Sequence, residues 1–272
     1  MANNVIVITG ASSGIGKETA KYFAEKGWTV AATMRTPDKE TELTEIENVK
    51  IYPLDVTDFE SIESAKNAII NDFGKVDVVL NNAGYGLMGA FEFASYEQIK
   101  HQYDVNVFGL FAVTKAFLPH FRENKKGLFI NISSVAGKMA FPYMSMYHST
   151  KWAVEGFTES LGFELGRLGI KAKLVEPGGV ATDFSGRSLV ITASETVEDY
   201  NEGFDTFQQA IRSMMIESEP IVIAKVIYEA ATDGKDQVRY IAGEDAVQAI
   251  GARAQMGDEA YIQMVKERSF SK

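Results

Sequence analysis

Apolar residues along the chain fall into short runs that alternate with longer stretches of helical periodicity. The runs predict strands near residues 4–9, 28–34, 49–54, 76–81, 127–133, 171–176 and 238–241. The periodic stretches predict helices near 15–26, 38–47, 58–73, 97–123, 146–168, 220–232 and 245–267. Val76-Asp-Val-Val-Leu80 and Leu128-Phe-Ile-Asn-Ile132 are apolar enough to be buried on both faces, as strands inside a parallel sheet are. The pattern therefore predicts an α/β class fold, a doubly wound parallel sheet of about seven strands with helices on both faces.

Residues 178–219 break the alternation with a Gly-Gly turn, a polar stretch and a helical pattern over about 197–216. An insertion there, after the sixth strand and at the carboxyl edge of the sheet, reads as a substrate lid; a plain surface loop is the alternative. Residues 244–272 form a C-terminal helical extension. With 272 residues, 46% of them hydrophobic, and no repeat or linker, residues 1–272 read as a single domain.

Charge and cysteine content narrow the function classes. A net charge of −10 and the lack of a basic block argue against a nucleic-acid partner. There is no cysteine, so disulfides, thiolate metal sites and thiol nucleophiles are excluded, and isolated His101 and His120 make a metal site improbable. The chain enters a strand by about residue 4, without a basic-then-apolar leader or a long apolar stretch, which reads as a soluble, cytoplasmic protein with no membrane partner. Asn131-Ile-Ser133 matches a glycosylation acceptor but lies on an expected buried strand.

Two local patterns carry candidate chemistry. Tyr147 and Lys151, four residues apart, share one helix face with Cβ atoms about 5–6 Å apart. An ammonium that close would lower the pKa of a phenol from its usual value of about 10, making Tyr147 a general acid/base. Upstream, a strand runs into Gly10-Ala-Ser-Ser-Gly14-Ile-Gly16 and then a helix, the arrangement of a phosphate cradle. Its Gly-x-x-x-Gly-x-Gly spacing is not that of the common dinucleotide fingerprint, and Glu18 and Ala11 exclude a Walker loop.

Taken with Asp55-Val-Thr57, Asn81-Asn-Ala-Gly84, Asn106, Ser134, and Pro177-Gly178 with Thr182, these motifs resemble the short-chain dehydrogenase/reductase family over at least residues 4–182. The resemblance implies a Rossmann fold and hydride transfer between nicotinamide and a carbonyl or alcohol carbon. It implies that Ser134 hydrogen-bonds the carbonyl oxygen, Tyr147 delivers the proton, and Lys151 depresses the tyrosine pKa and holds the nicotinamide ribose. Asn106 would fix local helix geometry and a water leading to Lys151. Ser133 is the rival serine, but the thirteen-residue spacing to Tyr147 prefers Ser134. His148, about 100° around the helix from Tyr147, is not expected to act in catalysis.

For the cofactor, the resemblance implies contacts from Gly10, Ser12, Ser13, Gly14, Ile15 and Gly16 at the phosphates. Asp55 and Val56 would lie at the adenine, and Asn82, Ala83 and Gly84 beside the adenosine ribose. Pro177, Gly178, Val180 and Thr182 would meet the nicotinamide. The family's NAD-selective members end the second strand on an acidic residue, whereas here Met34 holds that place and Arg35 follows. That favours NADP(H), with a solvated strand-end arginine as the alternative reading of Arg35. Ser13 gives no support, since some NADP-selective relatives carry a basic residue there.

The expected pocket rim is Met139, Phe141, Tyr143, Met144 and Phe184, with Met214 and Met215 on the lid and Arg187 and Arg212 as cations in reach. It suggests a small to medium apolar ketone, aldehyde or secondary alcohol. A non-enzymatic NADP-sensing protein is the competing class, but such a protein is expected to lose Tyr147 or Lys151. On the 146–168 helix, Val154, Phe157, Leu161, Leu165 and Leu168 form the sheet-facing arc, with Trp152, Gly156 and Phe163 opposite. With the 97–123 helix apolar all round, this predicts a homodimer or homotetramer through a four-helix interface, the tail covering the second contact surface.

Overall fold

The computed structural model describes residues 3–182, 188–194, 196–214 and 216–270. The main sheet takes its strands from the seven apolar runs: β1 (Val5–Ile8), β2 (Thr29–Met34), β3 (Val49–Pro53), β4 (Val78–Asn81), β6 (Gly127–Ile132), β7 (Ile170–Pro177) and β9 (Arg239–Ala242). All pairs are parallel, in the order β3-β2-β1-β4-β6-β7-β9. The strand order reverses between β1 and β4, so a crevice opens at their carboxyl ends.

Alternation along β1 sets the two layers. Ile6 and Ile8 join Phe23 of α1 (Gly14–Glu25) and Ile223 and Ile227 of the helix Pro220–Thr232 on one face. Val5 and Val7 face α2 (Phe59–Phe73), α4 (Leu110–Asn124) and α5 (Ser145–Leu165) on the other, where Ile69, Phe117, Phe129 and Leu161 are buried. A buried polar chain ties the second layer to the sheet. Asn81 Nδ2 donates to Asn131 Oδ1 (2.9 Å) and Thr114 Oγ1 (3.0 Å), and Asn131 Nδ2 donates to Thr158 Oγ1 (2.8 Å). Unpaired, these amides would cost about 1–3 kcal/mol each, so the chain fixes how α4 and α5 sit on β4 and β6.

The structure departs from the expected elements in four places. Residues 38–47 form two short 3₁₀ turns, Pro37–Lys39 and Leu43–Glu45, in place of a helix. Here Glu40 Oε1 accepts from the backbone N–H groups of Glu42 and Leu43 (both 3.0 Å) and pairs with Lys17 at 3.1 Å. The expected 97–123 helix is three pieces: α3 (Tyr96–Tyr103), a π-helical stretch Asp104–Gly109, and α4, which tolerates Pro119. The tail is two helices, α8 (Glu244–Met256) and α9 (Asp258–Phe270), broken at Gly257 with φ of 80°. A second, two-stranded parallel sheet of β5 (Gly86–Gly89) and β8 (Leu189–Thr192) joins the segment after β4 to the insertion. The insertion carries α6 (Asn201–Met214), and α7 is the Pro220–Thr232 helix. Among the described residues, no helix is long and apolar enough to cross a membrane.

Candidate active site

The turn from β1 into α1 is built for close approach. Gly10 and Gly14 adopt φ of 68° and 53°, where a side chain is strained. A Cβ on Gly16 would stand 2.5 Å from Asn82 Nδ2 and from the Gly10 carbonyl. Asn82 Nδ2 itself donates to the carbonyls of Thr9 (2.9 Å) and Gly10 (3.1 Å). Thr9 Oγ1 accepts from the N–H groups of Asn82 and Ala83, so β1 and β4 are locked together at the crevice. The first turn of α1 holds no acidic residue, leaving its positive end suited to an anion.

A cavity of about 1290 Å³ runs from this turn past Tyr147 and Lys151 of α5 to residues of the C-terminal tail. Of the sequence-predicted cofactor residues, Gly10, Ser12, Ser13, Gly14, Ile15, Arg35, Asp55, Val56, Asn82, Ala83, Gly84, Tyr147, Lys151, Pro177, Gly178, Val180 and Thr182 line it; Gly16 lies beneath, packed against Asn82. Arg35 is exposed at the end of β2 and makes no ion pair among the described residues, while Met34 is buried. Asp55 Oδ1 accepts from the Thr57 N–H and hydroxyl. Thr182 packs against Gly14, whose added Cβ would lie 3.3 Å from the threonine methyl. Glycine-only turns, an acid-free helix start and a cavity passing over them fit a dinucleotide.

Ser134, Tyr147 and Lys151 meet in the cavity wall. Ser134 leads a short turn after β6: its Oγ accepts from the Ala136 N–H (3.1 Å) and hydrogen-bonds the Tyr147 phenol. Lys151 Nζ donates to the Ile132 carbonyl (2.9 Å) and stands 5.7 Å from the centre of the Tyr147 ring. Asn106 sits in the π-helical stretch, where Oδ1 accepts from the Tyr85 N–H (3.0 Å) while Nδ2 donates to the Tyr85 carbonyl (2.8 Å) and to Thr150 Oγ1 (3.3 Å). Its side chain therefore clamps the segment after β4 to α5.

The electrostatics differ from the sequence expectation. Burial pushes Tyr147 up to about 12, only partly offset by the Ser134 hydrogen bond, so the phenol is not depressed. The same burial brings Lys151 down to about 8, with Glu155 opposing the fall. Desolvation dominates at both groups because both are removed from water.

Other residues shape the site without having been picked out as site residues. His148 Nε2 accepts from the Phe141 N–H (2.9 Å), which leaves Nδ1 to donate to the Ala136 carbonyl (2.9 Å). It clamps the turn that carries Ser134 to the pocket wall. Asp245 Oδ2 accepts from the Gly179 N–H (2.7 Å), anchoring the Pro-Gly-Gly turn to α8. Tyr143 adopts φ of 58° and turns its ring onto Phe204 and Phe207 of α6, away from the cavity lining. Met139, Phe141 and Met144 do line the cavity. Phe184, Arg187 and Met215 lie outside the described residues, as do the side chains of Arg212 and Met214. The tail contributes Met256, Tyr261 and Met264 to the cavity wall, and the Tyr261 hydroxyl donates to the Ala140 carbonyl (3.0 Å).

The model of the family described as short chain dehydrogenase matches residues 4–189. The chain is 37% identical over 229 residues to an uncharacterised oxidoreductase of Schizosaccharomyces pombe, covering 84% of this chain and 96% of that protein. It is 40% identical over 204 residues to a 3-ketodihydrosphingosine reductase of Bacteroides thetaiotaomicron, covering 75% and 74%. A short-chain dehydrogenase from Streptomyces avermitilis superposes with a TM-score of 0.83 at 31% identity, over 97% of this chain and 98% of that one. ElxO with NADP bound gives 0.73 at 30%, over 89% and 96%. A 3-ketoacyl-(acyl-carrier-protein) reductase from Brucella melitensis, complexed with NADH, gives 0.76 at 25%, over 89% and 98%.

Proposed function

The chain belongs to the short-chain dehydrogenase/reductase family of nicotinamide-dependent oxidoreductases, and from that premise we propose that it is an NADPH-dependent reductase of apolar ketones or aldehydes. The observation that carries the reading is geometric: the Ser134 hydroxyl hydrogen-bonds the Tyr147 phenol and Lys151 Nζ stands 5.7 Å from the ring centre, with all three residues lining one cavity. Burial favours the protonated phenol, in keeping with a group that gives its proton to a carbonyl oxygen.

When bound, NADPH supplies the hydride to the carbonyl carbon. Ser134 and Tyr147 hydrogen-bond the carbonyl oxygen, and Tyr147 gives that oxygen its proton as negative charge develops there. Lys151 stabilises the phenolate left behind and holds the nicotinamide ribose, while Asn106 keeps the Tyr85 segment and α5 in register. The glycine-rich turn takes the pyrophosphate, and Asp55, Val56 and residues 82–84 take the adenosine. Arg35 takes the 2′-phosphate: no carboxylate ends β2, and neighbouring Glu40 is already engaged by Lys17. Residues 178–219 act as the lid over a cavity whose apolar wall includes Leu87, Met139, Met144 and Phe207.

The test is a panel of apolar ketones and aldehydes scored by loss of NADPH absorbance. Turnover of at least one class, faster with NADPH than with NADH, is expected. NADPH binding with no oxidation by any panel member would contradict the reductase reading.

A further inference from the structure

Behind Lys151, away from the cavity, two carboxylates are buried against each other. Glu155 lies one helical turn beyond Lys151 on α5, and Glu176 lies on β7; they are 5% and 1% exposed. Glu155 Oε1 and Glu176 Oε1 each lack a hydrogen-bond partner while fully removed from water. Glu155 Oε2 accepts from Arg239 Nε of β9 at 3.0 Å. The same Nε is 3.4 Å from Glu176 Oε1, too long for a second good hydrogen bond, and the Arg239 guanidinium also pairs with Glu159. Lys138, on the turn after Ser134, is the remaining cation facing Glu176. Gly137 of that turn covers the pair, since a Cβ there would come within 2.9 Å of Glu155 Cγ.

Two ionised carboxylates with facing, unpartnered oxygens repel each other in a site with little water to screen them. One proton between them turns the repulsion into a hydrogen bond and satisfies both orphaned oxygens. We propose that Glu155 and Glu176 share a single proton, and that Glu155, held in this way, is the positioning residue that keeps Lys151 in its ammonium form beneath Tyr147. Glu155 is already engaged by Arg239, so the proton resides on Glu176. Burial and the Glu155 charge push Glu176 up to about 7, in keeping with that assignment. On the other side, Glu155 is the charge that opposes the fall in the Lys151 pKa. Neither glutamate lines the cavity, so the effect passes through Lys151.

The second half of the proposal rests on the reductase reading; the first does not, and the two are tested separately. Infrared spectroscopy of the protein alone should show the carbonyl stretch of a buried carboxylic acid on the acid side of the Glu176 titration. That band should fade as pH rises through about 7 and be missing in Glu176→Gln. Absence of the band in the unmutated protein, or its survival in Glu176→Gln, would overturn the shared proton. For the link to catalysis, Glu155→Gln should move the alkaline limb of kcat/KM to lower pH by about one unit, roughly a tenfold loss on that limb. A merely structural role would lower kcat/KM at every pH with the limb unmoved, and that result would overturn the positioning role.

Discussion

Replacing Lys151 by Met should make the protein more stable near neutral pH while removing its activity. The magnitude follows from the lysine's surroundings. Burial lowers its pKa from 10.5 to about 8, so keeping it charged in the folded state costs about 3 kcal/mol at about 1.36 kcal/mol per pKa unit. Met removes that cost but also the Lys151 hydrogen bond to the Ile132 carbonyl, worth about 1.5–2 kcal/mol because its donor is charged. A net gain of about 1–2 kcal/mol remains. The sign has a pH signature. Between the folded and unfolded pKa values the unfolded chain holds the extra proton, so the unmutated protein gains stability as pH rises from about 8 toward 10.5, and the variant does not. Urea unfolding of both proteins without cofactor, at neutral pH and near the upper end of that window, measures the difference. The variant's advantage should shrink or reverse at the alkaline end. A variant destabilised by the same margin at both pH values would refute the reasoning, because it would mean the lysine is not held charged against its surroundings.

Arg35→Ala should erase most of a roughly ten- to hundredfold preference for NADPH over NADH, the worth of one partly exposed charge-assisted contact, as read by cofactor titration. Acid should weaken the pocket wall through His148. Burial lowers its pKa below the usual 6.5 of a free imidazole, so the unfolded chain takes the proton first and stability falls as pH drops through that value; His148→Asn should blunt this dependence in acid unfolding curves. Phe108, Trp152 and Phe163 leave an apolar outer face on the two helical segments, at 53%, 47% and 78% exposure, with Trp152 under the Arg253 guanidinium. Light scattering should therefore give at least twice the 29.9 kDa chain mass, and Phe163→Glu should shift it toward the monomer.

The sheet was legible in the chain because each strand is a short β-rich run and the parallel core buries both of its faces. Ser134, Tyr147 and Lys151 stand out in the chain through motif spacings that resemble the family's, and the fold brings all three to one cavity. What stayed hidden depends on contacts distant in sequence. The 38–47 stretch has helical periodicity, but Glu40 binds the backbone of Glu42 and Leu43 and pairs with Lys17. The π-helical stretch leaves apolar periodicity nearly unchanged, so nothing local distinguishes Asp104–Gly109 from α-helix. The β-rich Leu189-Val-Ile-Thr192 run was a usable strand signal, but its partner, Gly-Leu-Met-Gly at 86–89, was not. Helical periodicity puts Leu168 in the sheet-facing arc, yet α5 ends at Leu165 and Leu168 is 40% exposed. The tail's place in the cavity wall, through Tyr261 and Met264, rests on contacts distant in sequence and leaves no local signal. The tyrosine's pKa moves opposite to what the Tyr147–Lys151 spacing suggests, because spacing reports the nearby ammonium and says nothing of the water both groups lose.

The most direct test of the central claim is single-turnover reduction of an accepted carbonyl by NADPH in Tyr147→Phe. Ring packing at this 9% exposed position is preserved, so NADPH affinity should stay within about a factor of a few. The hydride-transfer rate should fall by about two to four orders of magnitude, the contribution of a positioned proton donor. A variant that binds NADPH normally and keeps most of its single-turnover rate would show that Tyr147 is not the acid and would contradict the account.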